Sequence, residues 1–432
     1  MADTLADRRS PDPQNLGPEL ADAGRLFDEL RENTLDPPGV TRATYGPGEM
    51  IAHQRVAARA HGLDLEVTTD YAGNLYMTLP GRDRAAPAIM IGSHLDSVPH
   101  GGNYDGAAGV VAGLVALQRL RRIGRTPAQD VTVMAIRAEE TCWFSTHCAG
   151  SRMAFGLLPR ESLDECSRMD TGRSLADHMK EEGFDPDAVR RGAVHLRAER
   201  IRCYIEPHIE QGPALVEAGI PVGIVSGIRG NLRYKQCQVT GVYGHAGAVP
   251  RRYRRDAVFA ATEFVNTLER HWLAREAAGT DFVCTVGAMY TDATVHAMTK
   301  ISGDVRFTMD IRSESNDVLL ETDSYLREVA RTIGDQRGVH IEIGAYTNAE
   351  PALMDAELRR MLREQADRIG IQWMELSSGA GHDCGTFANA GVPSAMIFVR
   401  NDHGSHNADE AMDIEDFAEG CRLLDALLDE LG

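Results

Sequence analysis

Residues 85–122 read AAPAIMIGSHLDSVPHGGNYDGAAGVVAGLVALQRLRR, and this stretch decides the fold. An apolar strand ends in histidine and aspartate, a glycine-rich loop follows, and residues 106–122 have the pattern of a buried helix of small side chains. Residues 131–140, VTVMAIRAEE, again form an apolar strand that ends in charged residues. Apolar strands that alternate with helices predict an α/β layer, in which ligands bind at the carboxyl ends of the strands.

The sequence on either side of this stretch predicts a second domain inserted into the first. After the segment Gly227-Ile228-Arg229-Gly230 the pattern becomes strand, helix, strand, strand, helix, strand, which is typical of a ferredoxin-like α+β unit. The alternating α/β pattern then returns and continues to the end. We therefore predict an α/β domain, with a central mixed sheet flanked by helices, from residues 1–228 and 348–432, interrupted by an α+β domain at 229–347.

The composition limits the classes of function. The chain has 432 residues, of which 43% are hydrophobic and 25% charged, an ordinary balance for a globular protein. Its 45 Lys and Arg against 64 Asp and Glu give a formal net charge of −19. Such a chain repels phosphate backbones, so we expect no nucleic-acid partner. A carboxylate substrate would need one local cation to hold it, because the net charge does not attract anions.

Neither a membrane nor an oxidising compartment is indicated. The longest apolar runs fall well short of the roughly 18 residues that span a bilayer. The opening residues MADTLADRRSPDPQN mix both charge signs and lack the apolar core of a signal peptide. The eight cysteines are scattered without a C-x-x-C pair, which predicts reduced thiols rather than disulfides or a thiolate zinc site. We therefore expect a cytoplasmic protein with no membrane partner.

His94 and Asp96 end the first apolar strand and share one of its faces, because side chains two residues apart in a strand point the same way. A carboxylate beside an imidazole typically orients a metal-bound histidine. Asp105 follows just before the small-residue helix, and its carboxylate could bridge two metal ions. The simpler interpretations are a histidine at a strand end with Asp96 as a helix cap, and Asp105 as an N-cap residue.

Glu139 and Glu140 are adjacent carboxylates at the end of the second apolar strand. They repel each other unless something positive lies between them. In a continuing strand they would point to opposite faces, so both reach one site only if the backbone leaves the strand there. A general base next to a metal ligand would meet both conditions. An exposed acidic turn is the alternative, although the following Cys-Trp-Phe is unusual for one.

Two more histidines lie in similar surroundings, His208 in PHIEQGP and His406 in GSHNADE. Alone, each could be an ordinary core or capping histidine. Together, three histidines and two carboxylates make a ligand set for Zn, Mn, Co or Ni. The set divides into two metal sites, one of His94, Asp105 and His208, the other of Asp105, Glu140 and His406. Glu139 remains as the general base that activates a bridging water and then protonates the leaving nitrogen.

These segments, in this order, resemble the M20 metallohydrolase family. The matching stretches are GSHLDSVPHGGNYDGAAGV, AEETCWFSTHCAGSRMAFG, HIEQGPALVEAGIPVGIVSGIRG, GVYGHAGAVPRRYRRDA, FTMDIR, SGAGHDCGTFA and GSHNADE. HIEQGP resembles the branch of N-carbamoyl-L-amino acid hydrolases, β-ureidopropionases and allantoate or ureidoglycolate amidohydrolases. The resemblance implies a homodimer with two divalent metal ions per subunit. It also implies hydrolysis of a linear C–N bond in an N-carbamoyl amino acid or related ureido acid, releasing ammonia, carbon dioxide and the amino acid.

The resemblance also assigns further residues. It implies that the inserted domain is a dimerising lid, that His245 stabilises the oxyanion and that Arg312 clamps the substrate carboxylate. For Arg312 the alternative is a surface salt bridge with Asp310. The remaining assignments are substrate contacts by Gln211 and the backbone of Gly381, and support of the ligands by His382 and Asp383.

Two departures from the family pattern leave the substrate open. Thr299 stands where the family usually has an asparagine that contacts the substrate, and a hydroxyl replaces an amide there. Arg400 and His403 replace neutral residues in the loop before His406, and they could favour a second negative group on the substrate.

Other functions are weaker expectations. An M20 aminoacylase or dipeptidase would share the same centre and act on an ordinary amide. A serine hydrolase has no support, since the sequence has no G-x-S-x-G elbow. A binding protein without activity would be expected to have lost ligands, yet all five ligand positions and the base are intact.

Overall fold

The computed structural model describes residues 16–432, and the opening segment on which the signal-peptide prediction was based lies outside the described residues. The chain divides into two compact units. One is formed by the chain up to Ser226 together with Met354–Gly432, and the other by Gly227–Leu353. The second unit is therefore an insertion between two segments of the first.

A nine-stranded mixed sheet organises the first unit. Four neighbouring strands at its centre run parallel, and outer strands pair antiparallel to them. In spatial order the strands are Ala352–Leu353, Val222–Ile228, Ser394–Val399, Ile201–Ile209, Ala88–His94, Val131–Ile136, Leu75–Leu79 and Glu66–Thr69, with Trp373–Ser378 also paired to Val222–Ile228. The pair Leu35–Asp36 and Gly39–Val40 stands apart. The four parallel strands explain the continuous apolar runs of the sequence, because such strands are buried on both faces.

Helices surround this sheet and close its core. Ala107–Arg122 is buried along most of its length, and its small residues permit that close approach. A Cβ added at Gly109 would lie 2.1 Å from the carbonyl oxygen of Pro207 on the sheet. The other helices of this unit are Gly17–Asn33, Pro47–Gly62, Thr141–Phe144, Ala149–Ala154, Ser162–Glu165, Leu175–Glu181, Pro186–Arg190, Ala214–Ala218, Ala356–Ile369, Asp383–Asn389 and Ile414–Leu431, with one 3₁₀ turn at Ala198–Arg200.

The second unit is an antiparallel sheet with two long helices. The strands lie in the order Val283–Tyr290, Asp304–Ser313, Gly230–Thr240 and His340–Glu342, and Tyr346–Ala349 also pairs with Gly230–Thr240. Gly244–His245 and Lys300–Ile301 form a separate small pair. The helices are Ala257–Ala277 and Asn316–Arg337, with a 3₁₀ turn at Arg251–Tyr253. Apolar residues from the helices and strands form a core belonging to this unit.

The predicted α/β class is confirmed, and the order of strands and helices in the second unit is consistent with the predicted α+β insertion. The last strand predicted for the insertion is instead broken into two pieces, His340–Glu342 and Tyr346–Ala349. Gly344 lies between the pieces with φ +70°, in the left-handed region that favours glycine. All eight cysteines are free thiols. Among the described residues, no helix is both long and apolar enough to cross a membrane.

Candidate metal centre

The four central parallel strands end at the same edge of the sheet, and the candidate ligands follow those ends. His94 is the last residue of its strand, and His208 is the last but one of the next. Glu140 follows the strand that ends at Ile136, and His406 follows the strand that ends at Val399. Parallel strands bring sites together at their carboxyl ends in this way, which explains why residues distant in sequence become neighbours.

Asp105 stands between the two halves of the cluster. Its Oδ1 lies 3.5 Å from Nε2 of His94 and 3.3 Å from Nε2 of His208. Its Oδ2 lies 3.5 Å from Nε2 of His406. The predicted alternative, that Asp105 caps the helix, is wrong: Gly106 is the N-cap residue, and no side chain caps that end. One carboxylate oxygen thus faces each half of the cluster.

The rings of His94 and His208 are oriented alike. Nδ1 of His94 lies 3.0 Å from the carbonyl oxygen of Asp96, and Nδ1 of His208 lies 2.8 Å from that of Ile209. Because a carbonyl oxygen only accepts, Nδ1 must carry the proton in both rings. In the neutral rings, each Nε2 then carries the lone pair that a metal ligand requires.

Asp96 supports the site in two ways. Its Oδ1 lies 3.3 Å from Nδ1 of His94, as the sequence predicts. Its two oxygens also accept the backbone N–H groups of Glu139, at 3.2 Å, and Glu140, at 3.1 Å. These contacts do not cap a helix, so that interpretation of Asp96 is wrong. The carboxylate of Asp96 instead ties the histidine strand to the neighbouring glutamate pair.

The Glu139–Glu140 pair leaves the strand, as convergence on one site requires. Ala138 adopts φ +58°, which turns the backbone just before the two glutamates. Both residues are buried, so the alternative of an exposed acidic turn is wrong. Oε2 of Glu139 lies 3.9 Å from Nε2 of His94, and Oε1 of Glu140 lies 3.7 Å from Nε2 of His406.

His406 is the exposed member of the set. Its side chain is 55% exposed, whereas those of His94 and His208 are at most 2% exposed. Its backbone has φ +61°, an uncommon conformation for histidine. The half of the cluster formed by Glu140 and His406 is therefore the half that solvent reaches.

Two of the residues predicted around the ligands, Gln211 and His382, contact them. Nε2 of Gln211 donates to Oδ2 of Asp105 at 2.8 Å. The ring of His382 packs edge-on against that of His208, with centroids 4.5 Å apart. Asp383 is fully buried and accepts a hydrogen bond from Ser151 at 2.5 Å. Gly381 lies in an exposed loop with open space where a side chain would begin.

Burial without a cation makes the carboxylates basic. Burial raises the pKa of Glu139 to about 8 and that of Glu140 well above its usual value, and neighbouring carboxylates add to both shifts. Burial alone would lower the pKa of His94, but hydrogen bonds to Asp105 and Asp96 outweigh it and raise the pKa well above its usual value. The centre is therefore a concentrated set of negative groups that a bound cation would neutralise.

The orphaned atoms of this centre fit metal ions. Oδ1 of Asp105, Oε1 of Glu140 and Nε2 of His208 are buried and accept no hydrogen bond. Leaving such atoms unpaired is costly, and coordination of a cation would satisfy all three. The ligand atoms of His94, Asp105 and His208, and those of Asp105, Glu140 and His406, form two groups whose members lie within 4.8 Å of one another.

A third group, Glu206 with His208 and His382, also has the spacing of a metal site. Its chemistry is less suitable. The two carboxylate oxygens of Glu206 already accept from the hydroxyl of Ser93, at 3.0 Å, and the backbone N–H of Cys384, at 2.6 Å. Glu206 instead links the strand of His94 to the helix that begins at Asp383.

The profile of peptidase family M20/M25/M40 matches residues 90–430, which include every candidate ligand. The chain belongs to the M20 family. Its members hydrolyse C–N amide bonds, and the chain is a hydrolase of that kind.

Characterised relatives resemble this M20 protein over nearly its whole length. An N-carbamoyl-L-amino acid amidohydrolase from Geobacillus stearothermophilus is 35% identical over 92% of this chain and 94% of the relative. An allantoate amidohydrolase from Escherichia coli is 33% identical over 91% of this chain and 93% of the relative. A crystal structure of a hydantoinase/carbamoylase family amidase from Burkholderia multivorans superposes with a TM-score of 0.85 at 28% identity, covering 95% of this chain and 97% of that one.

The second unit of the M20 protein contains three residues that the resemblance assigns to the substrate site: His245, Thr299 and Arg312. The first two lie on neighbouring segments of the backbone. His245 pairs with Lys300 on a neighbouring strand, and the carbonyl oxygen of Thr299 accepts the N–H of Ala246 at 2.9 Å. Arg312 forms a forked contact with Asp310, at 3.0 and 2.8 Å, which is the salt bridge given as its alternative.

The loop before His406 differs from the expectation. Arg400 does not present a free cation to a substrate, because its guanidinium donates twice to Asp416, at 2.8 and 2.9 Å. His403, also in this loop, is exposed with φ +66°. The suggestion that Arg400 selects a second negative group stays a prediction.

Sequence reasoning missed two residues that support the ligands. Glu410 accepts the N–H groups of Tyr104 and Asp105 at 2.8 and 3.3 Å, and the hydroxyl of Ser405 at 2.8 Å. It thereby joins the loop of Asp105 to the loop of His406. Arg42 is fully buried and donates to the carbonyl oxygen of Leu95 at 2.7 Å. The position of Glu410 within GSHNADE was a usable signal, whereas nothing near Arg42 in sequence points to the site.

Proposed function

We propose that this M20 hydrolase cleaves a linear ureido or amide C–N bond of an N-carbamoyl amino acid or related ureido acid, with two divalent metal ions. The observation that carries the proposal is the placement of Asp105. Its two carboxylate oxygens face separate ligand groups, and Glu139 lies beside them without belonging to either. A shared carboxylate with an adjacent free base is the arrangement needed for two-metal hydrolysis.

In this proposal, five residues bind the metal ions and a sixth transfers the proton. His94, Asp105 and His208 would hold one ion, and Asp105, Glu140 and His406 the other. Bound ions would polarise the scissile carbonyl and lower the pKa of water. The Glu139 carboxylate takes a proton from the attacking water and delivers it to the leaving nitrogen. Since Glu139 is 9% exposed, that proton is largely protected from bulk water.

The proposed substrate class follows from what the relatives share. One acts on N-carbamoyl-L-amino acids and another on allantoate, by their names, and both compounds contain a ureido group. The two relatives are 35% and 33% identical to this chain, and so small a difference does not favour one substrate over the other. The ureido group is therefore the common element, and its hydrolysis would yield ammonia, carbon dioxide and an amine.

A homodimer is part of the proposal. The second unit exposes large apolar side chains on the helix Ala257–Ala277 and on the edge strand Val283–Tyr290. These side chains are Val258, Phe259, Leu273, Met289 and Tyr290. Where exposed apolar side chains adjoin one another, they mark interaction surfaces. A second copy of the chain is the expected occupant, and light scattering should give twice the chain mass.

The test is ammonia release from a panel of substrates, with Mn²⁺ and with a chelator. The panel holds N-carbamoyl-L-amino acids, N-carbamoyl-β-alanine, allantoate, ureidoglycolate, N-acyl amino acids and dipeptides. We expect chelator-sensitive ammonia release from at least one ureido compound. Amine release from acyl compounds alone would contradict the proposal and favour an aminoacylase or dipeptidase.

A further inference from the structure

The turn that carries His245 is firmly anchored within the second unit. Gly244 and His245 pair with Ile301 and Lys300 on a neighbouring strand. Ala246 then donates its N–H to the carbonyl oxygen of Thr299 at 2.9 Å. The turn is closed by the N–H of Val249, which donates to the carbonyl oxygen of His245 at 3.2 Å. The backbone around His245 is thus held at several points although its side chain is exposed.

The turn also determines which nitrogen of the ring carries the proton. Nδ1 of His245 accepts the backbone N–H groups of Gly247, at 3.2 Å, and Ala248, at 3.1 Å. A ring nitrogen that accepts N–H groups has no proton of its own, so the neutral ring carries its proton on Nε2. No described residue is bonded to that Nε2. His245 therefore presents one outward N–H donor.

One side chain braces this turn. The guanidinium of Arg254 donates from Nε to the carbonyl oxygen of Val249 at 2.9 Å, and from a terminal nitrogen to the carbonyl oxygen of Ala246. Those two carbonyls flank Gly247 and Ala248, whose N–H groups hold the ring. A planar fork that holds two acceptors fixes their separation. By holding these carbonyls, Arg254 also fixes the positions of the two N–H groups that donate to Nδ1 of His245.

We propose that Arg254 is a positioning residue that keeps His245 as a neutral Nε2–H donor. The proposal rests on the proposed function, in which an oxygen of the scissile carbonyl becomes negative and needs a donor. The neutral ring held in this way donates a hydrogen bond from Nε2, because Nδ1 accepts the two backbone N–H groups. His245 is then an oxyanion donor and not a second base, and Arg254 acts on the reaction only through it.

The kinetic test is a double-mutant cycle. His245→Ala should lower kcat by roughly 10²–10³-fold, as expected for removal of one oxyanion donor. Arg254→Met should lower kcat by roughly tenfold or more, since a misplaced group loses much of its effect. In the His245→Ala background the same Arg254→Met change should alter kcat by less than about twofold, because nothing remains to be positioned.

A neighbouring arginine provides the matched control. Arg252 lies on the same turn with its guanidinium 4.7 Å from the ring centroid of Tyr253, and it donates to no carbonyl of the described chain. Arg252→Met should leave kcat unchanged in both backgrounds. Arg254→Lys should restore part of the loss, because an ammonium can reach one of the two carbonyls. Equal losses from Arg254→Met with and without His245 would overturn the proposal.

A second measurement needs no substrate. Nitrogen NMR of the full-length protein with labelled histidine reports the protonation of each ring nitrogen, and the His245 signal is identified by its loss in His245→Ala. We expect a proton on Nε2 alone at neutral pH, and a mixture of tautomers in Arg254→Lys. A proton on Nδ1 in the wild type would overturn the proposal. If no substrate of the panel is hydrolysed, the proposed function fails, while this spectrum still decides the role of Arg254.

Discussion

The histidines of the two units use Nδ1 in opposite ways. In the first unit, Nδ1 of His94 and His208 faces a carbonyl oxygen, which leaves a lone pair on each Nε2. In the second unit, Nδ1 of His245 accepts two backbone N–H groups, which leaves a proton on Nε2. The same side chain therefore offers a lone pair in one unit and an N–H donor in the other, and the local backbone makes the difference.

The two regions also differ in burial and in how many elements of the fold contact their side chains. His94, Asp105 and His208 are almost fully buried and are contacted from several strands and loops. His245 is exposed and depends on one turn. We therefore expect substitutions of the buried ligands, and of residues packed on them, to affect metal binding and folding, and substitutions in the second unit to affect turnover or substrate binding. The following predictions test that difference.

Glu139→Gln has the largest expected effect. The amide cannot accept the proton of water, so the rate of ammonia release should fall by about 10²–10⁴-fold. Metal content should stay at the wild-type level, because Glu139 belongs to neither ligand group. Glu210→Gln is the matched control, since Glu210 accepts the N–H groups of Ala214 and Leu215 at 2.8 Å and should retain most activity. Unchanged turnover in Glu139→Gln would remove the proposed base.

Gly106→Ala should disturb the ligand cluster directly. An added Cβ would lie 2.5 Å from the ring of His94, and Gly106 has φ +66°. Crowding and backbone strain together should cost about 2–4 kcal/mol in the free energy of unfolding and weaken metal binding. Gly124→Ala separates the two causes, because Gly124 has φ +70° with open space around it. Equal metal affinity in both variants would contradict the tight packing of His94.

Arg312→Met tests the second unit. If Arg312 clamps a substrate carboxylate, the change should raise KM for anionic substrates by about 1.5–3 kcal/mol in binding free energy. A neutral amide analogue should be affected far less. The forked contact with Asp310 supports the other outcome, a salt bridge worth about 0–1 kcal/mol in stability with no effect on KM. Steady-state kinetics on the matched anionic and neutral pair decides between the two.

The stabilisation by metal should depend on pH. In the metal-free protein the pKa of Glu139 is about 8, above its unfolded value, and that of His94 is also raised. Such groups stabilise the fold at low pH and lose that contribution as pH rises through the folded pKa. The metal-free protein should therefore weaken between pH 6 and 8, and added Mn²⁺ should stabilise more at pH 8, by roughly 1–3 kcal/mol. The measurement is the difference in melting temperature between the Mn²⁺-loaded and the metal-free protein. An equal difference at pH 6 and pH 8 would contradict this electrostatic account.

Sequence patterns predicted that the candidate ligands converge, because most of them lie at or after the end of a strand, and strand ends meet at one edge of a parallel sheet. They also predicted that Glu139 and Glu140 need a backbone turn, which Ala138 provides. They missed Arg42 and Glu410, because a buried charged residue looks like any surface charge in the sequence until the fold surrounds it. The direction of Arg400 towards Asp416 was likewise hidden, since a side-chain partner 16 positions away leaves no local signal.

The number of bound metal ions tests the central claim most directly. The wild type and two variants, His406→Ala and Asp105→Asn, would be loaded with Mn²⁺ or Zn²⁺, desalted and analysed for metal per chain. We expect two ions in the wild type, one in His406→Ala, because its ligand group is the exposed one, and less than one in Asp105→Asn, because both groups share that carboxylate. A single ion in the wild type, or two ions retained in Asp105→Asn, would contradict a two-metal centre joined by Asp105.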